Sequence, residues 1–174
     1  EERRQAALAR GDKPRYDGCC RDRGLVPGPN RAVRFKTPQI GTTFWQDQIK
    51  GHIAFDNQEL DDLVIRRADG IPTYNLAVVV DDAAMQVTHV VRGDDLLSST
   101  GRQLLLYRAL GLPAPRFAHV PLVVGPDGER LSKRHGALSL GERRARGDDP
   151  RAVCGQLAAL SGLAPAGTRL APRD

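Results

Sequence analysis

The chain reads as strands first and as alternating strands and helices later. Residues 1–11 set Ala6, Ala7, Leu8 and Ala9 among Arg and Glu, a composition that favours helix. Residues 11–30 are rich in Gly, Pro and Asp and predict a structured loop. Residues 32–35 predict a short strand, and 43–51 and 52–56 a pair of strands about a turn at Lys50-Gly51. Residues 63–67 predict another strand, stopped by Ala68-Asp69-Gly70. This β-rich stretch, from about 32 to 67, is expected to be an inserted subdomain.

The texture changes after Gly70. Leu76, Ala77 and Val80 recur at helical spacing and predict a helix over 73–80. Residues 87–92 carry the pattern of a buried strand. Ser99 and Thr100 are placed to cap a helix over 101–110, which Gly111 and Pro113 end. Residues 119–124 predict one more strand, followed by a Gly- and charge-rich loop to Gly136 and two helices over 140–146 and 151–160. Such alternation implies an α/β layer with a parallel sheet.

Composition changes this picture little. The 174 residues are 40% hydrophobic and 27% charged, an ordinary globular balance. The longest apolar run, near Leu76 to Val80, is far shorter than the roughly 20 residues a membrane span needs. A net charge of +5 is compatible with a polyanionic partner such as RNA. Three cysteines, two of them adjacent, give no disulfide framework and fit a reducing cytoplasm. The charged start at Glu1-Glu2-Arg3-Arg4, without Met, is expected to continue an upstream segment.

Three places offer chemistry. In the Gly-containing loop over 128–136, Lys133 and Arg134 are adjacent cations that can reach a phosphate chain; a solvated basic loop has the same residues. Tyr74 and Arg92 fall on a helix and a strand end, where open α/β sheets bind ligands. There they can hold a carboxylate, or else pack on the sheet and pair with Asp94 or Asp95. Tyr16, Cys20 and Asp22 could begin a zinc site, but two close ligands are not four, and His52, His89, His119 and His135 are scattered singly.

Taken jointly, several segments resemble bacterial glutamyl-tRNA synthetases of class I. They are Lys13-Pro14-Arg15-Tyr16-Asp17-Gly18, residues 55–62, residues 68–82 with Pro72-Thr73-Tyr74-Asn75, His89-Val90-Val91-Arg92-Gly93-Asp94-Asp95, and residues 128–137. Leu131-Ser132-Lys133-Arg134 is similar to the family's Lys-Met-Ser-Lys-Ser loop. The implied fold is the C-terminal part of a Rossmann-type catalytic domain with a β-rich insertion for the tRNA acceptor end. Residues 1–70 would end the zinc-type and β-rich insertion, 71–137 form the second half of the Rossmann-type domain, and 138–174 begin a helical stem-contact region.

The resemblance implies ATP-dependent activation of glutamate, with Mg2+, and transfer to tRNA by a cytoplasmic monomer. Tyr74 and Arg92 match positions that hold the substrate's carboxylates. Lys133 matches the loop lysine on the ATP phosphates, with Ser132 and Arg134 shaping the loop. Leu131, His119 and Leu122 match the surroundings of ATP. Cys20, and Tyr16 in some relatives, match a zinc position whose partner cysteines would lie upstream. The family's His-Ile-Gly-His segment would also lie upstream, so these residues alone are not expected to activate glutamate. Leu96-Leu97-Ser98-Ser99-Thr100 is more similar to a truncated paralogue, glutamyl-Q tRNA(Asp) synthetase, which remains the alternative. A non-catalytic RNA-binding relative is the alternative of another class.

Overall fold

The computed structural model describes residues 5, 8–11, 16–26, 28–124 and 139–171. The chain divides into two compact units, residues 1–120 and 121–174.

The first unit holds three small sheets. β1 (Val33–Arg34) pairs antiparallel with β4 (Val64–Arg66). β2 (Thr42–Asp47) and β3 (Gly51–Asp56) form a hairpin in which Thr42 faces Asp56 and Asp47 faces Gly51. The two-residue period is regular: Thr43, Trp45 and Asp47 are buried, while Thr42, Phe44 and Gln46 are exposed. The tip needs a left-handed residue, and Gly51 supplies it at φ +76°.

Helix α1 (Tyr74–Ala84) starts where Thr73 is stitched to β4. The Thr73 backbone N–H donates to Ile65 O (2.9 Å) and its hydroxyl to Val64 O (2.7 Å). β5 (His89–Gly93) and β6 (Arg116–Val120) are parallel neighbours, with His89 facing Arg116 and Gly93 facing Val120. Between them run a 3-10 turn (Asp94–Leu96) and helix α2 (Leu97–Leu110), which stops at Gly111 in the left-handed conformation. This strand–helix–strand crossover is the parallel connection that the alternating pattern predicts.

Two expectations are corrected. Ser99 and Thr100 do not cap α2; the 3-10 turn leads directly into a helix that begins at Leu97, and Thr100 points into the core. β6 begins at Arg116 rather than at 119, because its register is set by pairing with β5, and it ends before Pro121, which lacks an N–H to donate.

The core joins these pieces. Trp45 of the hairpin, Val79 of α1, Leu104, Leu106 and Tyr107 of α2 and Phe117 of β6 form one buried cluster. Trp45 stacks on Phe55 across the hairpin at 5.8 Å. Burial of each large apolar side chain contributes about 2 kcal/mol, so the hairpin is held to the crossover by packing as well as by polar contacts.

In the second unit, α3 (Leu140–Ala145) opens on a complete capping box, with Ser139 and Glu142 serving each other's backbone N–H. α4 (Pro150–Leu160) is capped by Asp149 and starts on proline. The chain then returns across it: Leu170 N–H donates to Arg151 O (3.1 Å), and a Cβ at Gly155 would lie 1.6 Å from Thr168 O. Only glycine fits at that crossing. No helix among the described residues is long and apolar enough to cross a membrane.

Candidate functional site

Arg92, near the carboxyl end of β5, is the centre of a polar cluster within the first unit. Its Nη2 donates to Thr100 Oγ1 (2.6 Å) and to Gln103 Oε1 (2.9 Å), both on α2. Its Nε donates to His119 Nε2 on β6 (3.2 Å). Gln103 Nε2 in turn donates to Asn75 Oδ1 on α1 (3.2 Å). Thr100, Gln103 and His119 are all essentially buried. Nη1 takes no part in these three bonds, and Tyr74 makes a side-chain contact with the same guanidinium.

His119 then passes the cluster on to the hairpin. Arginine offers only donors, so the Nε2 atom facing Arg92 must present its lone pair. The ring proton therefore sits on Nδ1, which donates to Asp47 Oδ2 at 2.5 Å. Asp47 Oδ1 accepts three backbone N–H bonds, from His119 (3.1 Å), Ile49 (3.1 Å) and Lys50 (3.0 Å). Both side chains are completely buried.

The electrostatics follow from those contacts. Burial alone would raise the Asp47 carboxyl, but the bonds from the Lys50 backbone and from the His119 ring and backbone outweigh it. Together with the Ile49 N–H they hold the carboxyl well below the usual carboxylate range. For Arg92, burial lowers the guanidinium's hold on its proton, while Tyr74, Asp82 and Tyr107 oppose that; an arginine so placed stays charged. The Tyr107 hydroxyl, buried and without a hydrogen-bond partner among the described residues, is pushed up to about 12 by burial and by Asp82.

Tyr74 is the first residue of α1, half exposed and near enough to Arg92 to favour its charge. A pairing of Arg92 with Asp94 is not found; Asp94 takes Lys50 Nζ at 2.8 Å. The other predicted site residues are not gathered here. Leu131, Ser132, Lys133 and Arg134 lie outside the described residues. Leu122 is half-buried and belongs to the second unit.

Tyr16 and Cys20 are together, but as a turn. The Tyr16 hydroxyl accepts the Cys20 backbone N–H at 2.8 Å, and Cys20 Sγ lies 3.7 Å from Cys19 Sγ. The Tyr16 contact lowers the Cys20 thiol from its ordinary value, and the Asp17 contact raises that of Cys19. Arg34 covers the Tyr16 ring at 3.8 Å. Among the described residues no group of three His, Cys, Asp or Glu side chains could hold a metal ion, so Cys20 and Tyr16 do not by themselves fit zinc. The same region borders an open cavity of about 500 Å³ that includes Gln39, Asn57 and Asp61. Its acids are engaged: Asp62 anchors Thr37 N–H (2.9 Å) and Arg21, and Asp61 faces Arg102 at 3.5 Å.

The structure brings together Arg92 and Tyr74, both singled out from the sequence, and adds Asp47, Thr100 and Gln103, which sequence reasoning missed. One signal was present: Asp47 continues the inward positions of Thr43 and Trp45, where a charge needs a partner.

Comparison with known proteins places the chain in a family. The family model for class I tRNA synthetases (E and Q), catalytic domain, matches residues 1–170. The chain is 58% identical over 160 residues to a glutamate–tRNA ligase of Syntrophobacter fumaroxidans, covering 92% of this chain and 34% of that protein. It superposes on a glutamate tRNA ligase of Elizabethkingia meningosepticum, solved in complex with its amino acid, with a TM-score of 0.74 and 32% identity over 89% of this chain and 37% of the other. The glutamate–tRNA synthetase of Elizabethkingia anophelis gives a TM-score of 0.75 and 28% identity, covering 98% and 45%. The chain thus spans about a third of the length of the curated relatives it matches.

Proposed function

Starting from the fact that the chain belongs to the class I tRNA synthetase (E and Q) catalytic-domain family, we propose that it acts in joining glutamate to tRNA with ATP. A glutamate carboxylate oxygen attacks the α-phosphorus of ATP, forming glutamyl-adenylate and releasing pyrophosphate. A hydroxyl of the terminal ribose of tRNA then attacks the acyl carbon and releases AMP. Such a reaction needs positioning and charge stabilisation rather than a covalent nucleophile.

The observation that carries this reading is the fixed guanidinium of Arg92 beside Tyr74, at the carboxyl end of a parallel strand. A guanidinium held there and partly desolvated suits a glutamate carboxylate. Because Nε and Nη2 are engaged, Nη1 and the Tyr74 hydroxyl are the proposed contacts. Lys133, with Ser132 and Arg134, is proposed for the ATP phosphates, whose Mg2+ arrives with the nucleotide. Leu131 and Leu122 are proposed neighbours of ATP. At His119, whose ring is engaged, the strand rather than the ring would meet it. The insertion reading of residues 1–70, with the hairpin as an acceptor-end surface, is kept as part of the proposal. The similar proteins of Syntrophobacter fumaroxidans, Oleidesulfovibrio alaskensis and Bordetella avium are glutamate–tRNA ligases, which supports this activity over the glutamyl-Q alternative.

Glutamate-dependent ATP–pyrophosphate exchange by the complete gene product, with and without tRNA, tests it. Arg92→Ala is expected to raise the glutamate KM by about 100-fold and leave the ATP KM within a few-fold. Lys133→Ala is expected to slow exchange by about 100-fold at saturating glutamate. An unchanged glutamate KM in Arg92→Ala would remove Arg92 from the site. RNA binding without any exchange would favour a non-catalytic binder.

A further inference from the structure

Resting on that reading, we propose that Asp47 and His119 are positioning residues for Arg92. Together, from the hairpin tip and strand β6, they fix the guanidinium in the orientation that presents Nη1 to the glutamate carboxylate.

Three observations carry the proposal. First, the contacts form one continuous line. The Ile49 and Lys50 backbone N–H groups hold Asp47 Oδ1, Asp47 Oδ2 takes the Nδ1 proton of His119, and His119 Nε2 accepts from Arg92 Nε. Second, the two links from Asp47 to Arg92 are long-range in sequence, with 72 positions between Asp47 and His119 and 27 between His119 and Arg92. Local chain stiffness therefore cannot set the angle of Arg92. Third, the line has a required polarity. If the proton moved to Nε2, that N–H would face Arg92 Nε–H and the Thr100 hydroxyl, and the guanidinium would lose an acceptor. A buried carboxylate facing Nδ1 selects the tautomer that Arg92 needs, as an orienting acid does for a catalytic histidine elsewhere. The depressed Asp47 carboxyl agrees, since it stays ionised and acceptor-only throughout the neutral range.

The packing around the ring serves the same end. Phe117 lies nearly parallel to His119 at 6.2 Å, Trp45 meets it edge-on at 6.3 Å, and Arg92 sits over Phe117 at 5.4 Å. These contacts restrict the imidazole to one plane, so the remaining freedom is which nitrogen carries the proton.

Asp47→Asn is the deciding variant. The amide keeps the size and the oxygen that serves the turn, but its NH2 faces Nδ1 and forces the proton to Nε2. In the complete gene product the glutamate KM is expected to rise about 10- to 100-fold, the effect of reversing one charge-assisted hydrogen bond. The ATP KM and the exchange rate at saturating glutamate should stay within about 3-fold, because neither depends on Nη1. Nitrogen NMR of the imidazole is expected to move the His119 proton from Nδ1 to Nε2. His119→Gln, which restores an acceptor toward Arg92 without a ring, should raise the glutamate KM less than His119→Asn, which does not reach it.

The outcomes separate cleanly. If Arg92→Ala raises the glutamate KM while Asp47→Asn leaves it unchanged, the positioning role fails and the functional reading stands. If Arg92→Ala has no effect, the functional reading fails and the positioning role falls with it. Should Asp47→Asn not fold, the two His119 variants decide: equal losses in both mean a structural contact only.

Discussion

Two regions of the first unit carry side chains that sequence alone marks as candidate ligands, and they are built in opposite ways. Around Arg92 the partners come from the hairpin, from β6 and from both helices, and all but the half-buried Asn75 are buried. Around Cys19 and Cys20 the bonded partners are Tyr16 and Asp17, within four positions, and the cysteines and Asp17 are exposed. A local turn can be made by almost any sequence that bends, and water can replace its bonds. A buried cluster drawn from distant segments exists only when the whole fold is in place, so it can hold a side chain against a ligand. The difference teaches where to look for a site: among polar groups whose partners are far away in sequence.

The sharpest way to break this contrast is to remove its most enclosed member. Asp47→Ala leaves the Nδ1 proton of His119 and the N–H groups of Ile49, Lys50 and His119 without an acceptor. The expected loss is about 3–5 kcal/mol in denaturant unfolding, the range for stripping one partner from a buried pair. The same group sets an acid limb. Its folded value lies below its unfolded value near 3.9, so its stabilisation is present above about pH 4 and is lost as pH falls through the folded value. Asp47→Asn should flatten that limb.

A smaller effect is expected at Tyr107, whose hydroxyl is raised to about 12 against an unfolded value near 10. A raised value stabilises below the unfolded one, so stability should fall as pH rises from about 10 through 12. Tyr107→Phe should remove this alkaline slope and, having no hydrogen bond to lose, change neutral stability by less than about 1 kcal/mol. A larger neutral loss would mean that the hydroxyl has a partner. The smallest effects belong to the exposed turn. Tyr16→Phe and Cys20→Ser are each expected to shift stability by under about 0.5 kcal/mol, as surface substitutions do. A loss comparable to that of Asp47→Ala would erase the contrast.

Much of the architecture was legible because it follows from periodicity. The two-residue alternation of the hairpin, the helical spacing of Leu76, Ala77 and Val80, and the stop at Gly111 each reflect a local rule. The misplaced boundaries came from tertiary context. Thr100 has the chemistry of a cap but turns inward because Arg92 and His119 require its oxygen, and β6 takes its register from β5 rather than from its own apolar run. The proposal that Arg92 meets a carboxylate came through family resemblance. Its supports were not, because Asp47, Gln103 and His119 are polar residues whose burial depends on partners that sequence spacing does not bring together.

The bond between Asp47 and His119 also bears on how such a chain can be recombined. The hairpin has the form of an exchangeable module, since it is continuous and closes on its own turn. Its tip, however, carries the acceptor that holds His119, the residue proposed to orient Arg92. A chimera that imports a hairpin lacking an acid at this position would keep its hydrophobic seam and leave the His119 ring and backbone N–H without their acceptor. Hairpin and crossover are therefore expected to be inherited, and to be transplanted, as a pair.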